Sequence, residues 1–189
     1  MIAELLLKNR SCRRFFQDVS IKSETLRELV ELTRYCASGG NLQPLKYILS
    51  AEPGRNASIF HHLAWAGYLR DWAGPPEGER PTAYIIVLGD TTVTKHFGCD
   101  HGIAAQAILL GAVERGLGGC ILASVKRSEL RQALDIPTHL EILLVIALGT
   151  PRETIVLETV EPNGNIEYWR DSQHVHHVPK RSLDEIIVG

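Results

Sequence analysis

The chain has 189 residues, of which 44% are hydrophobic and 22% are charged, and its formal net charge is -2. These values are typical of a globular protein and argue against a disordered chain. The near-neutral charge gives no general case for a nucleic-acid partner, and no apolar run approaches the roughly 20 residues that cross a membrane. We therefore expect one domain over residues 1–189, with neither nucleic acid nor a membrane as a partner.

The first ten residues and the cysteines indicate the compartment. The only unbroken apolar run near the start, Leu5–Leu7, is too short for the centre of a signal peptide. The four cysteines form no C-x-x-C pair and have no metal-ligand spacing. We expect a cytoplasmic protein with free thiols, each more typical of a small buried apolar side chain than of a catalytic nucleophile.

The first part of the chain predicts helices and one strand. Residues 2–8 predict a short helix, and Ser23 is a candidate cap for a second helix with apolar positions at helical spacing as far as Cys36. A strand is expected over about 46–51. The segment 57–74, with two tryptophans and a tyrosine, is consistent with a third helix.

The middle of the chain is the most apolar part. Residues 83–90 form a continuous apolar run of strand length, which predicts a buried strand. Asp100 starts the longest predicted helix, in which Gln106 is the only polar side chain between Gly102 and Val113. A helix that is apolar on nearly all faces must be buried on nearly all faces, so we expect a second subunit to cover part of it.

The last third predicts a short strand or turn over 120–124 and a helix over 126–137 that closes before its proline. Strands are expected over 140–151 and 154–161, and a turn followed by a strand over 163–169. Helices and strands are mixed along the chain and do not alternate strictly. This mixture favours an α+β fold over a doubly wound sheet.

Several motifs of well-known sites are missing from the sequence. It contains neither the G-x-x-x-x-G-K-[ST] phosphate loop nor the G-x-S-x-G nucleophile motif. The glycines of 116–119 follow a helix, so they are interpreted as a helix stop. The histidines of 61–62 and 174–177 have no carboxylate or cysteine at a fixed offset, and we expect no metal site.

Positive charge is concentrated near both ends of the chain. Arg10, Arg13 and Arg14 lie near the start, whereas Lys180 and Arg181 lie near the end. If the two ends meet, they form a local cationic pocket that would fit a phosphate monoester, because the planar arginine fork binds oxygens in pairs. Spacing alone favours the other interpretation, in which these are solvated surface pairs.

Five segments in consistent order resemble the nitroreductase family of flavin enzymes. They are "NRSCRRF" (9–15), similar to the family's R-R-S-x-R-x-F; "ASGGNLQPLKY" (37–47), similar to S-S-x-N-x-Q-P-W; the central helix and following loop (100–122); "ELRQALDIP" (129–137); and "KRSLDEIIV" (180–188). Asn9 stands where the pattern has its first arginine, and Leu45 where it has tryptophan. The resemblance runs from about residue 5 to the end.

The resemblance implies a three-layer fold, in which helices flank a central, mostly antiparallel sheet. It also implies an intertwined homodimer with FMN at each of two interfaces. The resemblance is weak over about 53–80, which would form a short, variable lid over the substrate.

By position, the resemblance implies that Arg10 and Ser11 hold the FMN phosphate, with Lys180 and Arg181 arriving from the end of the chain. Arg13 would lie beside N1 and the C2 carbonyl of the ring, where a cation stabilises the charge that builds up on reduction. The other implied contacts are Ser38, Asn41 and Gln43, lent to the site across the dimer interface, and Cys120, Ile121, Leu122 and Ala123 along one ring face.

The implied activity is that of an FMN-dependent oxidoreductase in which NAD(P)H reduces the flavin, leaves, and is followed by a nitroaromatic, quinone or related acceptor. The kinetics would be ping-pong, and no protein side chain would act as a nucleophile. Two alternatives stay open. One is a flavin enzyme of the same fold with other chemistry, such as reductive dehalogenation or flavin breakdown, and the other is a flavin-binding protein with little turnover.

Overall fold

The computed structural model describes residues 1–161 and 164–189. In chain order the helices and strands are α1 (Ile2–Lys8), α2 (Ser23–Glu31), β1 (Leu45–Ser50), α3 (Pro53–Phe60), β2 (Ala83–Asp90), α4 (Asp100–Glu114), β3 (Gly118–Leu122), α5 (Arg127–Ala133), β4 (Leu140–Gly149), β5 (Ile155–Thr159), β6 (Trp169–Arg170), β7 (His176–Lys180) and α6 (Leu183–Ile186). Short 3-10 turns cover Leu32–Tyr35 and Gly39–Asn41.

Four strands form the central sheet in the order β1-β2-β4-β3, and every neighbouring pair is antiparallel. The apolar strand β2 lies in the interior of this sheet, where it pairs with β1 on one side and β4 on the other. Ile85 and Val87 pack on one face with α2 and α4, whereas Ile86 and Leu88 belong to the core on the other face with α3 and α5. The helix–sheet–helix layers and the antiparallel central sheet confirm the predicted fold class.

The last three strands form a second, smaller sheet in the order β5-β7-β6. Strands β5 and β7 are parallel, with Ile155 opposite His176 and Thr159 opposite Lys180. The sequence predicted β5 and a strand that ends at Trp169, but it did not predict β7, the central strand of this sheet. The turn expected at the start of 163–169 begins at Asn163, which lies outside the described residues.

Helix α3 corrects the prediction of a helix over 57–74. The Glu52 carboxylate accepts the backbone N–H groups of Gly54 at 2.8 Å and Arg55 at 2.6 Å, so the helix begins upstream of the expected start. The helix ends at Phe60, with His61 as its C-cap. Leu63 then forms an isolated bridge with Val125, which follows β3. The aromatic residues that imitate a helical pattern lie instead in turns.

Three smaller boundaries also differ from prediction. Lys22, not Ser23, occupies the N-cap of α2, and no side chain caps that end. Helix α5 ends four residues before Pro137, because Arg131 donates to the carbonyl oxygens that follow the helix and Asp135 adopts a φ of +51°. Strand β3 begins two residues earlier than expected, at Gly118.

Helix α4 begins at Asp100, as predicted, and Gly116, with a φ of +73°, follows its end. Its small residues permit close packing: a Cβ on Gly111 would lie 2.3 Å from Cδ1 of Leu32. Within the described ranges, the helices are too short or too polar to span a bilayer.

Candidate functional site

The arginine segment, residues 9–14, runs as an extended chain along the edge of β3. Ser11 forms a parallel bridge with Gly119, and the N–H of Cys12 donates to the Gly119 carbonyl oxygen at 3.0 Å. A Cβ on Gly118 would lie 3.2 Å from Cβ of Cys12. The absence of a side chain at Gly118 therefore favours the close approach of the two segments, a role that the sequence prediction of a helix stop did not include.

One buried carboxylate holds the backbone of the arginine segment. Glu153, whose side chain is fully buried, accepts the backbone N–H of Arg13 and, at 3.2 Å, that of Arg14. Its other oxygen accepts Nη2 of Arg170 at 2.9 Å. These bonds use the carboxylate to hold backbone rather than to neutralise the Arg13 side chain.

The Arg13 guanidinium is buried among neutral groups. Only 9% of the residue is exposed. Its Nη1 donates to the carbonyl oxygen of Ser11 at 3.2 Å and lies 3.2 Å from Nε2 of His176, and its carbon lies 4.9 Å from the centre of the Tyr168 ring. In the described part of the chain no carboxylate bonds this side chain, and its Nε has no partner. A buried cation without an anion is costly, so an anionic group that bound beside Arg13 would be stabilised.

His176 is held in its neutral form beside Arg13. It is 1% exposed, and burial, with the charges of Arg13 and Arg170 as lesser causes, lowers the pKa of its imidazole to about 4. Because a guanidinium has only donors, Nε2 accepts from Arg13 and the ring proton lies on Nδ1. This residue was considered only as a metal-ligand candidate from sequence, since nothing local to "HVHH" indicates a partner 163 positions away.

Arg10 lines a groove beside the same segment. The groove has a volume of about 420 Å³, and Lys8, Cys12, Gly118 and Glu153 also line it. Nη2 of Arg10 donates to a backbone carbonyl oxygen of α1 at 2.6 Å, whereas its Nε is buried without a partner. The side chains of Lys8 and Arg10 therefore bring two cations to the groove, whereas the carboxylate of Glu153 is fully buried and already bonded.

Lys180 and Arg181 do not line that groove. Lys180 ends β7, and the four residue-to-residue steps from His176 to Lys180 span about 13 Å of strand. Arg181 lies 3.3 Å from Glu185 in an exposed pair. Within one chain, the C-terminal part thus reaches the arginine segment through His176, which sequence reasoning missed.

Ser38, Asn41 and Gln43 lie in a tight loop at the start of α4. Oγ of Ser38 donates to Asp100 at 2.6 Å and accepts the N–H of Gln43 at 2.9 Å. Asn41 and Gln43 are exposed and adopt φ values of +54° and +51°, a conformation that non-glycine residues rarely adopt. The loop lines a pocket of about 200 Å³ that shares no residue with the Arg10 groove.

The four residues predicted along a ring face alternate in and out of the core. Cys120 and Leu122 are buried, whereas Ile121 is 40% exposed and Ala123 is exposed. The period of a strand explains this alternation. Only Ile121 and Ala123 can therefore offer side chains to a bound group.

All four cysteines are free thiols. Burial first, and then the Glu153 charge, raise the pKa of Cys12 to about 12, so it is not a nucleophile at neutral pH. Cys99 is exposed, which corrects the expectation that each thiol is a buried apolar residue. No group of three or more potential metal ligands occurs in ranges 1–161 and 164–189.

The model of the nitroreductase family matches residues 6–66 and 81–150 of this chain. The unmatched interval lies inside the predicted lid, and the C-terminal residues from 151 onward are also outside the match. A protein of Archaeoglobus fulgidus named as an NADH dehydrogenase/NAD(P)H nitroreductase is 24% identical over 156 residues, which are 78% of this chain and 84% of that protein.

Solved structures share the fold at low sequence identity. A nitroreductase family protein from Streptococcus pneumoniae TIGR4 is similar with a TM-score of 0.71 and 17% identity over 100% of both chains. An FMN-dependent nitroreductase from Clostridium difficile R20291 gives a TM-score of 0.65 and 20% identity, covering 87% of this chain and 91% of that one. The NADPH:FMN oxidoreductase from Vibrio harveyi gives a TM-score of 0.62 and 21% identity, covering 80% of this chain and 69% of that one.

Proposed function

Because the chain belongs to the nitroreductase family, we propose that it is an FMN-dependent oxidoreductase that uses NAD(P)H to reduce nitroaromatic, quinone or related acceptors. The names of the similar proteins from A. fulgidus, C. difficile and V. harveyi support this class of reaction and these cofactors. The observation that carries the proposal is the buried Arg13 cation, which has no anionic partner in the described part of the chain.

The residues of the arginine segment fit FMN. Among residues 1–161 and 164–189, the buried Nε atoms of Arg10 and Arg13 have no hydrogen-bond partner, and Ser11 is exposed between them. A flavin mononucleotide carries a phosphate at one end and an electron-rich ring edge at the other. We assign Arg10 and Ser11 to the phosphate and Arg13 to the ring edge.

FMN, when bound, supplies the hydride chemistry, which in a ping-pong sequence serves NAD(P)H and then the acceptor at one face. The protein's contribution is electrostatic. His176, the Ser11 carbonyl oxygen and the Tyr168 ring hold the Arg13 guanidinium without neutralising it, so its full charge acts on an incoming anion. Ile121 and Ala123 would offer an apolar surface to the ring.

The homodimer is part of the same proposal. One stripe of α4, including Ile103, Leu110 and Val113, is not fully buried within the chain, although the helix is almost entirely apolar. The last residues of the chain, from Leu183 to Val188, are also largely apolar and exposed. A second copy that covers both surfaces would explain them, and the Ser38–Gln43 loop would then reach the partner's flavin.

The C-terminal cations and the lid also belong to this proposal. We assign Lys180 and Arg181 to the phosphate of FMN, supported by their position in a terminal segment whose apolar residues are exposed. Within residues 53–80, predicted as a lid, α3 packs into the core through Ile59, and the segment around Tyr68 would form a small lid, since Tyr68 packs on Tyr168 above Arg13 with ring centres 4.9 Å apart. A cytoplasmic location is consistent with the four free thiols.

Absorption spectra of the purified protein test the reaction. We expect a yellow protein whose visible absorption is bleached by NADH or NADPH under nitrogen and restored by a quinone or nitroaromatic. A yellow protein that NAD(P)H cannot bleach would contradict the reaction and favour other flavin chemistry or simple flavin binding. A colourless protein that FMN cannot reconstitute would contradict the cofactor.

Deletion of residues 180–189 tests the assembly. We expect the truncated protein to lose FMN or to elute as a monomer in size-exclusion chromatography with light scattering. A truncated dimer that keeps its full flavin content would refute the role assigned to Lys180 and Arg181. The same measurement on the full chain must give the mass of two subunits.

A further inference from the structure

A second cavity lies on the face of the central sheet that α3 covers. Its walls come from residues 17–20, from α3 and from residues 80–84, and it shares no lining residue with the Arg10 groove. Its volume is about 130 Å³. This is below the roughly 300–1,000 Å³ of pockets that hold drug-sized ligands, so the cavity suits a small molecule. We call it the α3 cavity.

The only charged side chain in the α3 cavity is Arg80. Its guanidinium stacks on the Phe60 ring at 4.5 Å. In the described part of the chain its side chain makes no hydrogen bond or ion pair, and its Nε is buried. No aspartate or glutamate is among the residues that line the cavity. The α3 cavity therefore carries an uncompensated positive charge.

Two buried hydroxyl groups belong to the same walls. Tyr84 is fully buried and Thr82 is nine-tenths buried, and neither hydroxyl oxygen has a hydrogen-bond partner in the described ranges. Burial raises the pKa of Tyr84, which keeps the phenol protonated and able to donate. Unpartnered buried hydroxyl groups are uncommon because each loses its hydration without compensation.

Both side-chain amide oxygens that line the α3 cavity already accept hydrogen bonds. Oδ1 of Asn56 accepts Oγ of Ser50 at 2.7 Å, and its Nδ2 donates to the carbonyl oxygen of Thr82 at 2.7 Å. Oε1 of Gln17 accepts the backbone N–H of Arg80 at 3.0 Å. These bonds fix the walls and leave donors as the free polar groups.

We propose that the α3 cavity binds a small organic carboxylate. The carboxylate would be held by Arg80 with the hydroxyl groups of Thr82 and Tyr84, which belong to residues that line the same cavity and lack a hydrogen-bond partner in the described ranges. The apolar body would pack against Phe60 and Ala57 of α3. The volume restricts the ligand to a short-chain acid. This inference is independent of the flavin site, and it holds or fails whether or not the protein is a reductase.

Isothermal titration calorimetry on the purified full-length protein, with isobutyrate as the probe, tests the proposal. We expect saturable binding, with affinity rising about fourfold for each methylene group added from acetate to propionate. Isobutyramide has the same shape without the charge and should not bind. Equal affinity for the amide, or no saturable binding of any of these acids, would overturn the proposal and leave a cavity filled by water.

Substitutions then locate the site. Arg80→Gln should weaken isobutyrate binding at least tenfold, whereas Arg55→Gln, which removes an exposed arginine of α3 outside the cavity, should leave it unchanged. Tyr84→Phe covers the case in which Arg80→Gln does not fold, because it removes an unpaired hydroxyl and should not lower the Tm of the ligand-free protein. It should still weaken isobutyrate binding. Unchanged binding in Tyr84→Phe together with Arg80→Gln would refute the site.

Discussion

Arg13 and Arg14 are neighbours in the chain and have opposite electrostatic surroundings. Nε and Nη2 of Arg14 bond both carboxylate oxygens of Glu79 at 2.5 and 2.7 Å. This bond raises the pKa of Arg14 and lowers that of Glu79. Arg13, which is more deeply buried, meets a carbonyl oxygen, a neutral imidazole and an aromatic face. One arginine is neutralised within the chain and the other is not.

Two neighbouring residues of β7 show a similar contrast, since one has acidic partners and the other does not. His177 contacts two carboxylates, with Nδ1 2.5 Å from Glu158 and Nε2 3.4 Å from Asp171. His176, next in the chain, contacts Arg13 instead. Arg14 and His177, which have acidic partners, are structural, whereas Arg13 and His176, which contact each other instead, belong to the candidate site. The residue type alone does not distinguish the two uses.

The largest effect is expected from breaking the compensated arginine pair. Glu79→Gln leaves Arg14 without its anion in a site where Glu79 is only 12% exposed, and should lower the free energy of unfolding by about 3 kcal/mol. Urea denaturation measures this loss. Arg152→Gln is the matched control, since its Nε is 3.8 Å from the same carboxylate and 45% exposed, and it should cost below about 1 kcal/mol. Equal losses for both variants would contradict the comparison.

The uncompensated arginine should behave in the opposite way. Arg13→Gln should change the free energy of unfolding by less than about 1 kcal/mol, because it removes a buried charge that has no partner. It should instead lower the flavin's midpoint potential by about 30–60 mV, the equivalent of one lost charged hydrogen bond for a two-electron couple. Spectroelectrochemistry measures the potential.

Arg13→Lys is the control for that experiment, because it keeps the charge and should recover part of the potential. An unchanged potential in Arg13→Gln, in protein that still binds FMN, would show that the cation does not face the ring. A large loss of stability would show that Arg13 is a structural residue like Arg14.

The sequence was informative wherever a pattern is local. Apolar runs predicted the buried strands over 83–90 and 140–151, and the helix that starts at Asp100 was placed by its uninterrupted apolar character. The helix over 57–74 failed because a cap at Glu52 decided where the helix starts, whereas the aromatic spacing that suggested it came from residues in turns. Local capping overrode periodicity.

The candidate site depends on contacts that no local pattern reports. Glu153 meets Arg13 across 140 positions and His176 meets it across 163. The resemblance to the family assigned a role to Arg13 and none to Arg14 by their positions in the motif, yet it did not report the partners of either side chain. That difference arises from the burial of Glu79 and Glu153, which the sequence does not show.

His176 gives a smaller, pH-dependent effect. Its pKa is about 4 in the folded chain and about 6.5 when unfolded, so the unfolded state binds more protons between these values. Stability from neutral His176 is present above pH 6.5 and is lost as the pH falls towards 4, by at most about 1.4 kcal/mol per pH unit. Urea denaturation from pH 4.5 to 7.5 should show this slope reduced in His176→Asn. The exposed His174→Asn is the control and should retain it.

His177 should show the smallest effect, with the opposite sign. Burial opposes its protonation, but the hydrogen bonds to Glu158 and Asp171 prevail and raise its pKa above the ordinary value. A raised pKa stabilises the folded chain below the unfolded value of about 6.5, and that stability is lost as the pH rises through the folded pKa.

The stability difference between the wild type and His177→Asn should therefore be larger at pH 6 than at pH 8.5, as measured by urea denaturation. Trp169 stacks on the His177 ring at 4.0 Å, and because an aromatic face attracts a cation, this contact favours the protonated ring and acts in the same direction as the two carboxylates. If the contributions of His176 and His177 to the free energy of unfolding changed with pH in the same direction, the carboxylates beside β7 would not explain the difference between the two histidines. The corresponding distinction between Arg13 and Arg14 would then need a cause other than charge compensation.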